Sequence, residues 1–306
     1  MNNDEKSMRF LLFDIGGATI KWGVVNVDGI FLSRQEIKTE AALGGQQILT
    51  KVKQIITQER QKGELSGIAI ATAGIIDSVS GEIVFAGPLL PQYSGINFKL
   101  LLERQFAIPV EVENDVNCMG LAESISGAGE DGNPNLCLSV GAGIGGCLVI
   151  DQQIYRGFSN SSCEIGYMNL PGGEFQDMGG TNVLCRRVAK QLGDSVEAWS
   201  SQRIFAEAEN GNEICREAII EMTGVLGQGI ANLCYVLNPQ LVIIGGEVTS
   251  HSKYLKPLVD RALGRYLLPI VRHNTDLVFA HYQNDAGLIG AFYHFIMKHP
   301  YLDKTV

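Results

Sequence analysis

Leu136-Cys137-Leu138-Ser139-Val140-Gly141-Ala142-Gly143-Ile144-Gly145-Gly146-Cys147-Leu148-Val149-Ile150 is the stretch on which the fold turns. Its Gly141-x-Gly143-x-x-Gly146 spacing matches the dinucleotide-binding fingerprint letter for letter. That fingerprint needs a helix after the glycines, because the helix N-terminus meets the pyrophosphate. Here the glycines run into Cys147-Leu148-Val149-Ile150, an apolar and β-branched run that reads as a returning strand. Gly141, Ala142, Gly143, Gly145 and Gly146 therefore belong to a hairpin turn, whose backbone N–H groups can form an anion-binding nest. One such hairpin is structural as often as functional. No G-x-x-x-x-G-K-[ST] occurs, which removes the P-loop class.

About 125 residues earlier the same design stands. Arg9-Phe10-Leu11-Leu12-Phe13 is a strand, Asp14-Ile15-Gly16-Gly17-Ala18-Thr19 a glycine turn, and Ile20 to Val27 the returning strand. Two strand–glycine–strand units suggest duplicated halves, each wrapping part of one ligand. A third Gly-Gly, Gly245-Gly246, closes the apolar strand Leu241 to Ile244. Together these features favour a grip on phosphate. Asp14 ends the first strand, where a carboxylate can hold a Mg²⁺ that keeps several waters. Thr19 and Lys21 flank that turn as candidate phosphate contacts, although a lone strand lysine is more often a solvated one.

Between the two units lies Val110-Glu111-Val112-Glu113-Asn114-Asp115. The alternation predicts a half-buried strand, and Val116 to Ile125 predicts a helix. Asp115 caps that helix start in this reading, and the helix dipole favours its ionised form. A carboxylate held ionised at such a joint is a candidate proton acceptor, while an arbitrary Asp there is more often a plain cap. Gly67 to Ala71 predicts a strand, followed by a loop through Gly74 and Asp77, both candidate substrate contacts. Glu164, in a polar loop before Tyr167, is by itself a surface carboxylate more often than a ligand.

Helical spacing covers residues 44–63, 97–106, 181–192, 201–209 and 213–237, and Asn284-Asp285 caps a last helix, Ala286 to Lys298. Helices alternating with strands make an α/β protein. The apolar runs are shorter than a membrane span, so no membrane segment is expected. A net charge of −9 speaks against nucleic acid as a partner. Seven cysteines, an odd number without a C-x-x-C pair, read as free thiols. With a polar start from Met1 to Met8 and no signal-peptide pattern, they point to the cytoplasm.

These blocks jointly resemble the ROK family (repressors, open reading frames and kinases) of the hexokinase–actin–Hsp70 superfamily. The carriers are Asp14-Ile15-Gly16-Gly17, Glu113-Asn114-Asp115, Val140 to Gly146, Glu164-Ile165-Gly166, Val242 to Gly246 and Asn284 to Gly290, collinear over nearly the whole chain. The resemblance implies two ribonuclease-H-like (actin-like ATPase) domains closing on a cleft, 1–115 with 290–306 and 116–289. It implies ATP held by the two hairpins and the Gly245-Gly246 turn, with Mg²⁺ at Asp14. It makes Asp115 the base for a sugar 6-hydroxyl, Asn114 and Glu164 sugar ligands, and the protein a homodimer.

Two departures bear on the substrate. Tyr167 stands where most ROK kinases have a zinc-ligating His, and the expected cysteine-rich zinc loop, Pro171 to Leu184, has no cysteine. Zinc is therefore not expected, and a carboxylate common at the end of that loop is lost or becomes Gln176. Tyr167 would then lie near the anomeric end of the sugar. Gly16-Gly17-Ala18-Thr19-Ile20-Lys21 and Glu164-Ile165-Gly166-Tyr167 look most like the zinc-less subgroup with β-glucoside kinases. N-acetylmannosamine kinase and glucokinase are the alternatives. A sugar-responsive repressor is disfavoured, because Asp14 is reached before any helix-turn-helix.

Overall fold

Leu11, Phe13 and Ile15 enter one hydrophobic core while Phe10 and Leu12 enter another, so the first strand is buried on both faces. The period of two does this, since successive side chains leave a strand on opposite sides. Each fully buried Leu or Phe there contributes roughly 1.5–3 kcal/mol. The computed structural model describes residues 8–300. The polar start read from Met1 to Met8 lies outside them except for Met8, as do residues 301–306.

In chain order the elements begin β1 (Phe10–Ile15), β2 (Thr19–Val25), β3 (Phe31–Lys38), α1 (Gly45–Gln61), β4 (Gly67–Thr72), β5 (Ile75–Asp77) and β6 (Glu82–Phe85). Next come α2 (Phe98–Phe106), β7 (Val110–Asn114), α3 (Asp115–Ser126), β8 (Asn135–Val140), β9 (Ile144–Ile150) and β10 (Gln153–Ile154). The short β11 (Asn169–Leu170), β12 (Gly173–Glu174) and α4 (Phe175–Gly179) precede α5 (Thr181–Leu192), α6 (Ser201–Glu209) and α7 (Glu213–Leu237). The chain finishes with β13 (Leu241–Gly245), α8 (Ser252–Tyr266), α9 (Pro269–His273), β14 (Asp276–Phe279) and α10 (Ala286–Lys298).

The chain forms two compact units. Among the described residues the first holds everything to Ala122, then Arg156–Ser162, then everything from Asn284. Its sheet runs β3-β2-β1-β4-β7, with β1 antiparallel to β2 and parallel to β4. Helices α1 and α2 cover one face, and α10 covers the other through Leu288, Ala291, Phe292 and Phe295. The close approach of α10 depends on glycine: a Cβ on Gly290 would lie 1.7 Å from the Cys118 carbonyl oxygen. That contact draws the start of α3 into this unit, so the division falls after Ala122 and not after Asp115.

The second unit holds Glu123–Tyr155 and Cys163–Gln283. Its sheet, β10-β9-β8-β13-β14, repeats the strand order and senses of the first. The duplication read from the two glycine blocks is thus present in the topology. Helices α5 to α8 pack on it around Phe175, Phe205, Met222 and Leu226. Helix α7, with 25 residues, is long and apolar enough to cross a membrane by length and composition. More than half of its apolar window is buried in this core.

Candidate functional site

The first glycine turn is three residues long. Gly16 N–H donates to the Thr19 carbonyl at 3.0 Å, and Thr39 Oγ1 donates to the Gly16 carbonyl at 2.7 Å. Asp14 pairs across the hairpin with Lys21, whose Nζ lies 3.4 Å from Asp14 Oδ2 and 3.4 Å from the Asn284 carbonyl. Asp14 is the next even position after Phe10 and Leu12, so its carboxyl faces α10, where a Cβ on Gly287 would come within 2.8 Å of it. Burial pushes the Asp14 carboxyl above its ordinary value, and Lys21 offsets this only in part. A half-buried carboxylate with only Lys21 beside it suits a cation. A hydrated Mg²⁺ asks for only one or two carboxylates, and among the described residues no group of three His, Cys, Asp or Glu ligands is assembled.

At the β7–α3 joint the structure corrects the capping assignment. Asn114, not Asp115, is the cap: its Oδ1 accepts the Asn117 N–H at 2.9 Å. Asp115 is the first helical residue, with Oδ1 accepting from Val116 N at 3.0 Å and from Asn114 Nδ2 at 3.1 Å. Asn114 Nδ2 also donates to the Gly74 carbonyl at 3.0 Å. Gly74 has φ +116°, and a Cβ there would lie 2.6 Å from the Phe85 carbonyl oxygen, so its glycine serves the open end of the β5–β6 hairpin. Asp77 holds the β5–β6 turn at its other end, accepting from Val79 N and Ser80 N, which keeps its carboxyl below the usual range.

Glu113 was expected on the wet face of a half-buried strand, yet it is only 1% exposed. Arg156 binds its Oε2 through Nε at 2.8 Å and Nη2 at 2.6 Å. Asn117 Nδ2 and Asn114 N bind its Oε1 at 3.0 and 2.9 Å. Burial works to raise this carboxyl, but the nearby charges and N–H donors outweigh it and leave it lowered. Sequence reasoning assigned no role to Glu113 or Arg156.

In the second unit the glycine turn spans Gly141 to Gly143, with Gly141 N–H donating to the Gly143 carbonyl at 3.0 Å. Gly145 and Gly146 lie outside the turn, in β9, paired with Ser139 and Leu138. Gly146 is glycine for packing, since a Cβ would meet Ile165 and the Cys163 carbonyl within 2.8 Å. Gly245 is buried at the end of β13, and Gly246 has φ +83° with Val140 N and O within 2.7 Å of a Cβ. Gly16, Gly17 and Gly141 differ. The nearest atoms to a Cβ there lie at 3.6, 3.7 and 3.7 Å, and none of the three has a left-handed φ. Neither packing nor conformation demands glycine at these tips, whereas a phosphate group seated on the turns would.

Glu247, directly after Gly246, was also missed. Its carboxylate accepts from Thr181 Oγ1 at 3.0 Å and from Ser201 Oγ, and Thr181 N–H donates to the Gly141 carbonyl at 2.7 Å. It thereby joins the hairpin to the starts of α5 and α6. Glu164 precedes the short helical turn Ile165–Tyr167, and partial burial raises its carboxyl above the ordinary value. Tyr167 is 48% exposed. Gln176, on α4, places Oε1 3.3 Å from a Cβ built on Gly143 and 3.1 Å from one on Gly166, and it donates to Glu174. The second hairpin and the Glu164 loop therefore share one support.

Residues 11–298 match the family model described as the ROK family. A β-glucoside kinase of Klebsiella pneumoniae is 33% identical over 302 residues, covering 94% of this chain and 96% of that protein. One from Listeria monocytogenes is 31% identical over 299 residues, covering 95% and 98%. Among solved structures, the Lmo2764 protein of Listeria monocytogenes superposes with a TM-score of 0.86 at 30% identity, covering 95% of this chain and all of that one. The fold, the twin hairpins, the Asn114-Asp115 joint and a match over almost every described residue lead to one conclusion: the chain belongs to the ROK family.

Proposed function

We propose that this chain phosphorylates the 6-hydroxyl of a sugar with ATP as donor, that its substrates are β-glucosides or β-linked disaccharides, and that Asp115 is the general base. It is a carbohydrate kinase. The observation that carries the assignment of the base is the Asp115 carboxylate, fixed at the first turn of α3 by Val116 N and Asn114 Nδ2. In the proposed reaction Asp115 takes the hydroxyl proton as the sugar oxygen attacks the γ-phosphorus, and the bond to ADP breaks. Phosphoryl transfer needs little beyond positioning and charge neutralisation. Gly16 and Gly141 N–H close their own turns, so Gly17 in the first tip and Ala142 and Gly143 in the second supply the N–H donors for phosphate oxygens. Lys21 supplies a positive charge beside them. Asp14 would hold Mg²⁺, which when bound neutralises phosphate charge.

Glu164 and Asn114 are the proposed contacts for sugar hydroxyls, with Tyr167 toward the anomeric end. The β-glucoside reading is supported by the names of the two kinases above and by Tyr167 in place of a zinc-binding His. The decisive experiment is Asp115→Asn. Turnover should fall at least about a hundredfold, while sugar binding by calorimetry survives. Near-normal turnover would overturn the role of Asp115.

A further inference from the structure

Arg156 lies in a segment, Arg156–Ser162, that belongs to the first unit although the chain on both sides of it belongs to the second. Its guanidinium binds one oxygen of Glu113 through both Nε and Nη2. The other oxygen of Glu113 holds the catalytic joint itself, through Asn114 N and Asn117 Nδ2. Asn117 N is in turn capped by Asn114 Oδ1, and Asn114 Nδ2 holds Asp115. A closed chain of contacts therefore runs from Arg156 through Glu113 and Asn114 to Asp115.

Carboxylates crowd this chain of contacts. The buried Cys118 thiol is pushed well up by burial, then by Glu113, Asp115 and Asp14, with Arg156 opposing. Three carboxylates thus act on one buried atom of α3. Lys21 answers Asp14. Lys99 answers Glu111, the strand neighbour of Glu113, which also shares a hydrogen bond with His299 Nε2. Lys298, at the end of α10, acts on His294 from further along the same helix. His294 itself sits 4.0 Å from Glu113 Oε2 and 3.5 Å from Arg156 Nη2, but burial lowers it to about 4, so the ring is neutral near pH 7. Tyr93 faces Asp115 as a neutral phenol bonded to Thr72. Arg156 is the cation placed to answer Glu113.

We propose that Arg156 is a positioning residue for the Asp115 base: by neutralising the buried Glu113 carboxylate it fixes the Asn114–Asp115 joint and keeps a second negative charge from acting on the base. This rests on the reading of Asp115 as base. Removing one partner of a buried pair leaves the other charge uncompensated, whereas removing both restores balance. A nearby uncompensated carboxylate disfavours ionisation of its neighbour.

The test is kcat and kcat/KM against pH for Arg156→Met, Glu113→Gln and the double variant, each checked for native near-ultraviolet circular dichroism. Arg156→Met should lower kcat about tenfold or more and move the acid limb of kcat/KM up by about half a pH unit. Glu113→Gln should move that limb down. The double variant should return the limb close to wild type and recover most of kcat. A merely structural role for the 156–162 segment predicts no recovery and no shifts of opposite sign. A folded Arg156→Met with the wild-type profile, or a double variant no better than Arg156→Met, overturns the proposal. If Arg156→Met does not fold, Glu113→Gln with an unmoved acid limb overturns it. Should Asp115→Asn stay active, the base assignment fails. Should it be inactive while the double variant shows no recovery, only the role of Arg156 fails.

Discussion

Asn114 uses one small amide for two tasks that other substitutions can separate. Its oxygen caps α3, and its nitrogen donates to Asp115 and to the Gly74 carbonyl. Asn114→Ala loses both tasks and should cost about 1 kcal/mol in urea unfolding from the cap alone. Asn114→Asp keeps the cap, because Asp caps as well as Asn, but loses both donors and sets a like charge beside Asp115. Stability should therefore hold better than in Asn114→Ala, while kcat falls about tenfold or more. Wild-type turnover in Asn114→Asp would show that the amide does not hold the base. The pair Asn114-Asp115 was legible because a strand pattern broke into a helix pattern there. The division of labour was not, since either side chain can cap and only the backbone angles decide. Glu113 was less legible still, because its partner Arg156 lies 43 residues on and the unfolded alphabet of a strand, apolar in and charged out, assigns it to water.

Each glycine hairpin joins two strands at the centre of its sheet, so its tip is held by the most buried part of the unit. Tip and flank glycines should respond differently to a methyl group. Gly141→Ala has room and an ordinary φ, so melting should be nearly unchanged while KM for ATP rises about tenfold. Gly246→Ala puts a Cβ on a left-handed residue against Val140, and should cost about 1–2 kcal/mol or more in unfolding. Equal loss of stability in both would remove the distinction between them. The hairpins themselves were readable from β-branched residues after glycine, which forbade the helix of a dinucleotide fold. Their extent was not, because Gly145 and Gly146 look like turn residues in sequence and become strand only where Ser139 and Leu138 pair with them. The hairpin β5–β6 escaped for the converse reason: its strands have only three and four residues, too short for a period to register.

At the scale of the molecule, the substrate class is the open quantity, and ligand-linked stability reads it directly. A ligand that binds only the folded chain adds about 2.7 kcal/mol at a hundred times its Kd. Melting should rise most with a β-linked glucose disaccharide, less with free glucose and least with N-acetylmannosamine, and ADP release should follow the same order. The reverse order would replace the β-glucoside reading by one of the other sugars while leaving the kinase in place. The repeated strand order of the two units was foreseeable from their echoing sequences, whereas the three-part make-up of the first unit was not. Its third part has a consequence for how the protein is made. The face of β1 and β4 formed by Phe10, Leu12, Ala69 and Ala71 is closed by Leu288, Ala291, Phe292 and Phe295 of α10. During synthesis that face is translated well before its cover, so a nascent chain carries an open apolar surface while everything between β4 and α10 is made. The unit begun before the second is therefore completed only after it.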